Sequence, residues 1–338
     1  MSERGRGAGR AWGRPHPAVA AVRSAVRATF AECDPGDLVL VACSGGADSM
    51  ALADAARFEG ERAGVRVGAV VVDHGLQPGS ADVARRVADR LRALGLDPVH
   101  VATPRVPAHG SDGLEATARA ARYAELAAAA DHLGARLVLL GHTLDDQAEQ
   151  VLLGLVRGSG ARSLAGMPAA RGRYRRPLLG LTRGQTRAAC TAEGRTWWED
   201  PMNEDPAFAR VRARRALAAL ENDLGPGLAA ALARSADQLR EDADLLDALA
   251  ADAVVILGEG PWTAEALAAL PRPVRTRAWR RLLVAAGAPA GQVSRRHTDA
   301  CDRLLTHWRG QGPVHAPGGL RVQRSGGRVS IGPAARVE

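Results

Sequence analysis

Leu38-Val39-Leu40-Val41-Ala42-Cys43-Ser44-Gly45-Gly46-Ala47-Asp48-Ser49 decides the fold class of this chain. The apolar run reads as a buried strand, and the residues from about Ser49 to Arg62 read as a helix. Between them, two adjacent glycines let the backbone approach a ligand without a Cβ in the way. Backbone N–H groups in such a turn, ahead of a helix N-terminus, form a cradle for phosphate oxygens. A Walker loop would need a lysine after its last glycine, and this chain contains no lysine: all 45 basic residues are arginine.

Working outward, a helix over Pro17–Glu32 precedes the loop. A strand over Val65–Asp73 follows it, then a helix near Ser80–Gly95 and a strand over Pro98–Ala102. A helix over Leu114–Gly134, a strand over Arg136–Gly141 and a helix over Leu144–Val156 complete the alternation. Apolar strands alternating with helices predict an α/β fold with a doubly wound parallel sheet. Such sheets bind ligands beyond the carboxyl ends of their strands. Three informative loops fall on that edge: Ser44–Ser49, Asp73-His74-Gly75 and Gly141–Glu149. From about Asp205 the pattern changes to helices over Pro206–Asn222, Pro226–Leu257, Pro273–Ala286 and Gln292–Thr306, with a short β-ribbon over Gly319–Ile331. The expected organisation is a basic, disordered tail over 1–15, a catalytic domain over 16–215 and a smaller, mainly helical domain over 216–338.

The 338 residues suffice for two cores. A formal net charge of +8 favours a polyanionic partner, because arginine pairs with phosphate bidentately. Cys33, Cys43, Cys190 and Cys301 form no CxxC pair and no metal spacing, which fits a reduced cytoplasmic protein. The Arg/Gly-rich start lacks the apolar segment of a secretory signal. No run approaches the ~18 apolar residues needed to span a membrane.

Three constellations point to chemistry. In Gly141-His142-Thr143-Leu144-Asp145-Asp146-Gln147-Ala148-Glu149, the acids open a helix at spacings that share a face. They either complement the helix dipole, hold Mg²⁺, or grip a cationic substrate. In Glu115–Tyr123, Arg119 or Arg122 could neutralise a transferring phosphate; a Glu115–Arg119 surface pair is the plainer reading. Finally, no acid occurs between Glu149 and Glu193, whereas Arg157, Arg162, Arg171, Arg173, Arg175, Arg176, Arg183 and Arg187 do. With Arg210, Arg212, Arg214 and Arg215, these could track a nucleic-acid backbone. Trp197 and Trp198 either stack on an unpaired base or are buried at the domain junction.

Ser44–Ser49 matches the SGGxDS loop of pyrophosphate-loop ATP enzymes. His74-Gly75-Leu76, Glu115–Tyr123, Gly141–Glu149, Arg157–Gly160, Gly166-Met167, Arg176–Leu179, Trp198–Asn203 and Phe208–Arg215 follow in the order seen in tRNA(Ile)-lysidine synthetases, which the chain resembles from about residue 36 to 216. Two positions depart from that pattern: Thr143 replaces a histidine and Gln150 a threonine. The resemblance implies a fold like the adenine nucleotide alpha hydrolases and an ATP- and Mg²⁺-dependent ligation. Free lysine would be joined to carbon 2 of the wobble cytidine in a CAU-anticodon isoleucine tRNA, through an adenylated cytidine. It implies ATP contacts from Ser44, Gly45, Gly46, Ala47, Asp48, Ser49, His74 and His142, with Asp48 near Mg²⁺. Arg119 would stabilise the transferring phosphoryl group, and Asp146 and Glu149 would grip lysine. Arg171, Arg173, Arg175, Arg176, Arg210, Arg212 and Arg215 would contact tRNA, and the enzyme would be a homodimer.

Three other readings compete, one of them an amide-forming ligase of a small carboxylate, which leaves the acid-free arginine stretch unexplained. A pyrophosphate-loop tRNA thiolase shares the SGGxDS loop but needs paired or cluster-binding cysteines. A non-catalytic tRNA-binding protein would have no need for Asp48, Arg119, Asp146 and Glu149 together.

Overall fold

The computed structural model describes residues 14–73, 75, 79–103, 114–158 and 160–334, with the side chains of 114–118 and 203 left out. The expected disordered tail lies outside the described residues except at Arg14 and Pro15. The chain divides into two compact units, 1–237 and 238–338.

The first unit opens with helix α1 (Pro17–Phe30), strand β1 (Leu38–Ala42), α2 (Ala47–Ala63), β2 (Arg66–Val72), α3 (Ser80–Ala93) and β3 (Val99–Ala102). It continues with α4 (Leu114–Leu133), β4 (Leu137–Leu140), α5 (Leu144–Val156), the single turn α6 (Ala161–Leu164), and the two-residue strands β5 (Ala170–Arg171) and β6 (Tyr174–Arg175). Helices α7 (Arg183–Ala192) and α8 (Ala209–Leu224) follow, and α9 (Leu228–Leu257) runs on into the second unit. The sheet order is β3-β2-β1-β4-β6-β5. Every pairing in it is parallel except β5 with β6.

Alternation along β1 builds the two faces. Val39 and Val41 are fully buried in one cluster with Val22 of α1, Leu52 of α2 and Leu91 of α3. Leu38 and Leu40 point the other way, into a cluster with Leu126, Ala129 and Ala130 of α4. Burying each such side chain contributes roughly 1.5–3 kcal/mol. A strand covered on both faces has no polar positions, which is why LVLVA reads as an unbroken apolar run. The strand order reverses between β1 and β4, so the loops after these two strands diverge and leave a crevice between them. Helix α8 packs against α5 inside this unit, so the helical pattern that starts near residue 205 begins within it.

The second unit holds the rest of α9, then β7 (Trp262–Thr263), α10 (Ala264–Ala269), α11 (Arg272–Ala285), α12 (Arg295–Thr306), β8 (Val314–Ala316), β9 (Leu320–Ser325) and β10 (Arg328–Pro333). Instead of a lone ribbon, it carries a four-stranded antiparallel sheet, in the order β7-β10-β9-β8. Gly326 and Gly327 both take positive φ, 54° and 76°, as a tight hairpin between β9 and β10 requires. Trp279, fully buried, centres the core with Leu267, Leu283, Leu304, Val322 and Val329.

Candidate active site

The loop after β1 is shaped by its glycines. Gly45 has φ +85°, and a Cβ there would lie 2.4 Å from Val87 Cγ2 of α3. Gly46 is the N-cap of α2, and the helix's first bond runs from the Met50 amide to the Gly46 carbonyl at 3.0 Å. The amides of Ala47, Asp48 and Ser49 precede that bond and lack acceptors within the helix. The Ser49 hydroxyl, buried, donates to the Gly46 carbonyl at 2.9 Å and fixes the turn. Across the crevice, Gly141 at the end of β4 must be small, since its Cβ would approach the Ser49 backbone at 3.2 Å. The two loops line one cleft of about 770 Å³.

Acids and arginines meet on one side of that cleft. The amide and hydroxyl of Thr143, which is fully buried, donate to Asp146 Oδ2 at 2.8 and 3.0 Å. This closes the first turn of α5 and gives Thr143 a role that needs a short donor. The other oxygen of Asp146 accepts from Arg183 Nη2 at 2.8 Å. Glu149, 2% exposed, uses a single oxygen, Oε1, for Arg183 Nη2 at 3.2 Å and Arg214 Nε at 2.9 Å. Its Oε2 is buried without a hydrogen-bond partner. The Arg183 backbone amide donates to Asp145 Oδ2 at 2.7 Å, and Arg183 Nε lies 3.7 Å from Asp48 Oδ2. Asp48 Oδ1 accepts from the Thr186 hydroxyl of α7. Arg183 therefore ties together acids from α2 and α5.

The electrostatics differ from one acid to the next. Burial pushes the Asp48 carboxyl up, against the Thr186 hydroxyl and Arg183, and the charges of Asp146 and Asp145 add to the rise. Burial acts on Asp146 in the same sense, but Arg183, the Thr143 donors and His142 outweigh it and hold that carboxyl below its usual range. Arginine charge also acts on His142. His142 is pushed down to about 3, first by burial and then by Arg176, Arg122 and Arg210, with Asp146 opposing. Its Nδ1 is buried and unpartnered. Burial, and the like charges of Arg119 and Arg210, also lower the pKa of Arg122.

The structure brings Ser44, Gly46, Ala47, Asp48, Ser49, His142 and Asp146 into the cleft lining, with Arg210 and both tryptophans, Trp197 and Trp198. His74 lies outside the described residues. Arg122 is among the lining residues, whereas Arg119 sits over the Tyr123 ring at 5.3 Å. Glu149 reaches the cleft only through Arg183 and Arg214, both of which line it. Among the expected tRNA contacts, Arg176 is a correction. It is 4% exposed and donates to the Pro168 carbonyl at 2.8 Å and the Tyr123 hydroxyl at 3.1 Å, so it is bound up inside the domain. Arg173 pairs with Asp131 at 2.7 Å and Arg175 with Glu32 at 2.5 Å. Arg212 donates to the carbonyls of Pro206 and Ala207, and Arg215 to that of Glu204. Arg171 is exposed. The acid-free run is thus partly balanced in space by carboxylates distant in sequence.

Sequence reasoning missed Arg183, Thr186 and Arg214 as site residues. One local signal was present: Thr182-Arg183-Gly184-Gln185 is a capping box that starts α7 and sets Arg183 at its first position. Arg214 carried no such signal.

A family model described as PP-loop domain matches residues 20–221, and one described as TilS substrate binding domain matches residues 263–330. The chain is 52% identical to a tRNA(Ile)-lysidine synthase of Thermobifida fusca, covering 94% of this chain and 98% of that one. It is 51% identical to that of Streptomyces coelicolor, covering 94% and 99%. Among solved structures, a U34-tRNA thiolase from Methanococcus maripaludis matches with a TM-score of 0.57 and 16% identity over 66% of this chain and 80% of that one, a likeness of fold alone. With half the residues identical from end to end, and both family models matched in order, the chain belongs to the tRNA(Ile)-lysidine synthases.

Proposed function

We propose that this cleft joins lysine to the wobble cytidine of an isoleucine tRNA with a CAU anticodon, in two steps at one site. The oxygen on carbon 2 of cytosine first attacks the α-phosphorus of ATP, and pyrophosphate leaves. The ε-amine of lysine then attacks carbon 2, loses a proton, and AMP departs with the oxygen. AMP is a far better leaving group than the bare carbonyl oxygen. The observation that carries this reading is the direct junction of the phosphate loop with the acid cluster in one cleft: Arg183 bonds Asp146 and Glu149, and its Nε lies 3.7 Å from Asp48 of the loop.

In this reading Ser44–Ser49 hold the phosphates through the amides that open α2, and His142, neutral at physiological pH, faces the nucleotide. His74, outside the described residues, is added to the ATP contacts on the strength of the motif alone. Arg122, with Arg119 behind it, meets charge on the transferring α-phosphate. Asp146 takes an ammonium of lysine and holds the substrate so that the attacking amine is oriented. Arg171, Arg210, Arg212 and Arg215 would meet the tRNA backbone.

Among the described residues, no three His, Cys, Asp or Glu side chains are grouped to hold a metal by themselves. Mg²⁺ nevertheless fits here, because it binds through one or two carboxylates plus substrate phosphates. Asp48 suits that role, being a carboxylate whose charge is disfavoured by burial and by neighbouring acids. The ion would neutralise phosphate charge as pyrophosphate forms. Among the described residues no helix is long and apolar enough to cross a membrane, and we place the enzyme in the cytoplasm as a homodimer.

Nucleoside mass spectrometry tests the function after incubation of CAU-anticodon isoleucine tRNA with the protein, Mg-ATP and lysine. A cytidine carrying lysine is expected. ATP cleaved to AMP without that nucleoside would favour the thiolase reading. The thiols do not suit it: burial pushes Cys190 up to about 12 and raises Cys43 as well.

A further inference from the structure

Lysine presents three charges, and the acids of α5 answer only the positive ones. Two guanidinium groups lie against those same acids. Arg183 is largely committed, with bonds to Asp146 and Glu149 and its Nε near Asp48. Arg214 is different. It comes from α8, has a side chain 40% exposed, and is held only at Nε, by Glu149 Oε1 at 2.9 Å, among the described residues. Its two Nη groups have no hydrogen-bond partner among the described residues, and the residue lines the cleft. A guanidinium fixed at Nε and open at its far edge presents two parallel N–H donors, the fork that fits a carboxylate or a phosphate.

The surrounding charge selects between those ligands. Arg214 and Arg183 converge on one oxygen of Glu149, and Arg183 passes directly to Asp146. A phosphate here would face Asp146, Glu149 and Asp48 together. A zwitterion would instead place its carboxylate on the guanidinium and its ammonium on the neighbouring acid. We infer that the Arg214 fork, steadied by Glu149, binds the α-carboxylate of the amino-acid substrate while Asp146 takes its α-ammonium. Glu149 is then a positioning residue that aims Arg214 and does not touch the substrate. The inference rests on lysine being the substrate, as proposed above.

The test compares lysine with cadaverine, the same diamine without its carboxylate. Initial rates of modified-nucleoside formation are measured for the wild-type enzyme, Arg214→Ala and Arg214→Lys at saturating Mg-ATP and tRNA. The wild type should favour lysine in kcat/KM by roughly 10- to 100-fold, the scale of one charge-assisted bidentate contact. Arg214→Ala should raise the KM for lysine towards that for cadaverine and leave cadaverine little affected, so the ratio collapses. Arg214→Lys should keep part of it. The ratio is taken within one preparation and does not depend on the fraction folded; if the alanine variant is insoluble, Arg214→Gln, which also removes the charged fork, replaces it. Equal losses with both amines would overturn the inference and mark Arg214 as a phosphate contact. A wild type that uses cadaverine as well as lysine would overturn it while leaving the ligase reading intact. A wild type that makes neither product would remove the ligase reading itself.

Discussion

The amide of Trp198 donates to the carbonyl of Gly45 at 2.8 Å, so the tryptophan pair is tied through the backbone to the turn that cradles phosphate. The same glycine has φ +85° and no room for a Cβ beside Val87. Gly45→Ala should cost about 1–3 kcal/mol of stability and weaken ATP binding by more than about tenfold. Adding Val87→Ala removes the clash but not the left-handed strain, which alone is ~1–2 kcal/mol. Thermal melts, with and without ATP, check both variants.

Asp48 and Asp146 should have opposite effects on stability as pH changes. Asp146 is held below the ordinary carboxylate value, so its contribution is present above about pH 4 and fades as pH falls through the lower folded-state value. Asp48 is raised, so its ionised form disfavours the fold, and that penalty develops as pH climbs above about 4. At neutral pH, Asp48→Asn should therefore melt above wild type and Asp146→Asn below it. The Asp48 difference should vanish first as pH falls, and the Asp146 difference should fade only below about pH 4, as pH falls towards its lowered folded-state value. Calorimetry across that range is the measurement. Asp48→Asn should also be inactive, a site kept at a cost in stability.

Arg122 faces the cleft while Arg119 lies over the Tyr123 ring. Arg122→Ala should slow tRNA-dependent pyrophosphate release by roughly 100-fold or more, the scale of one lost transition-state donor. Arg119→Ala should act more weakly, through the placement of Arg122. Equal and large losses would return the direct role to Arg119.

In the second unit, Arg275 and Asp302 form a buried pair at 2.5 Å, and Arg275 also donates to the carbonyls of Ala268 and Leu270. Arg275→Ala leaves Asp302 buried and unpaired, and should cost about 3–5 kcal/mol. Arg275→Met with Asp302→Leu should cost less than that single change, because no lone charge remains. Urea denaturation of the full chain reads both.

The sequence made the first unit readable because both faces of its sheet are covered. LVLVA and LVLL could be nothing but buried strands, and Gly-rich turns marked their ends. Strands β7 and β8 were not legible: Trp262–Thr263 and Val314–Ala316 are too short to show a period, and they become strands only by pairing with β10 and β9. In the site, local motifs located Asp48, His142 and Asp146. Arg183 and Arg214 were visible only as members of charge runs. Their partners lie 34 and 65 residues away along the chain, a distance no spacing rule spans. Reading the acid-free stretch as unbalanced failed for Arg173 and Arg175 for the same reason.

The arginines around the cleft have one more consequence. An adenylated cytidine is an electrophile that any free amine can attack. The basic residues that line the cleft include Arg122, Arg183, Arg210 and Arg214, and a protonated guanidinium presents no reactive lone pair. With no lysine anywhere in the chain, no side-chain amine of the protein can be captured by its own intermediate. The cations of the cleft wall cannot act as amine nucleophiles, and the nucleophile has to come from solution.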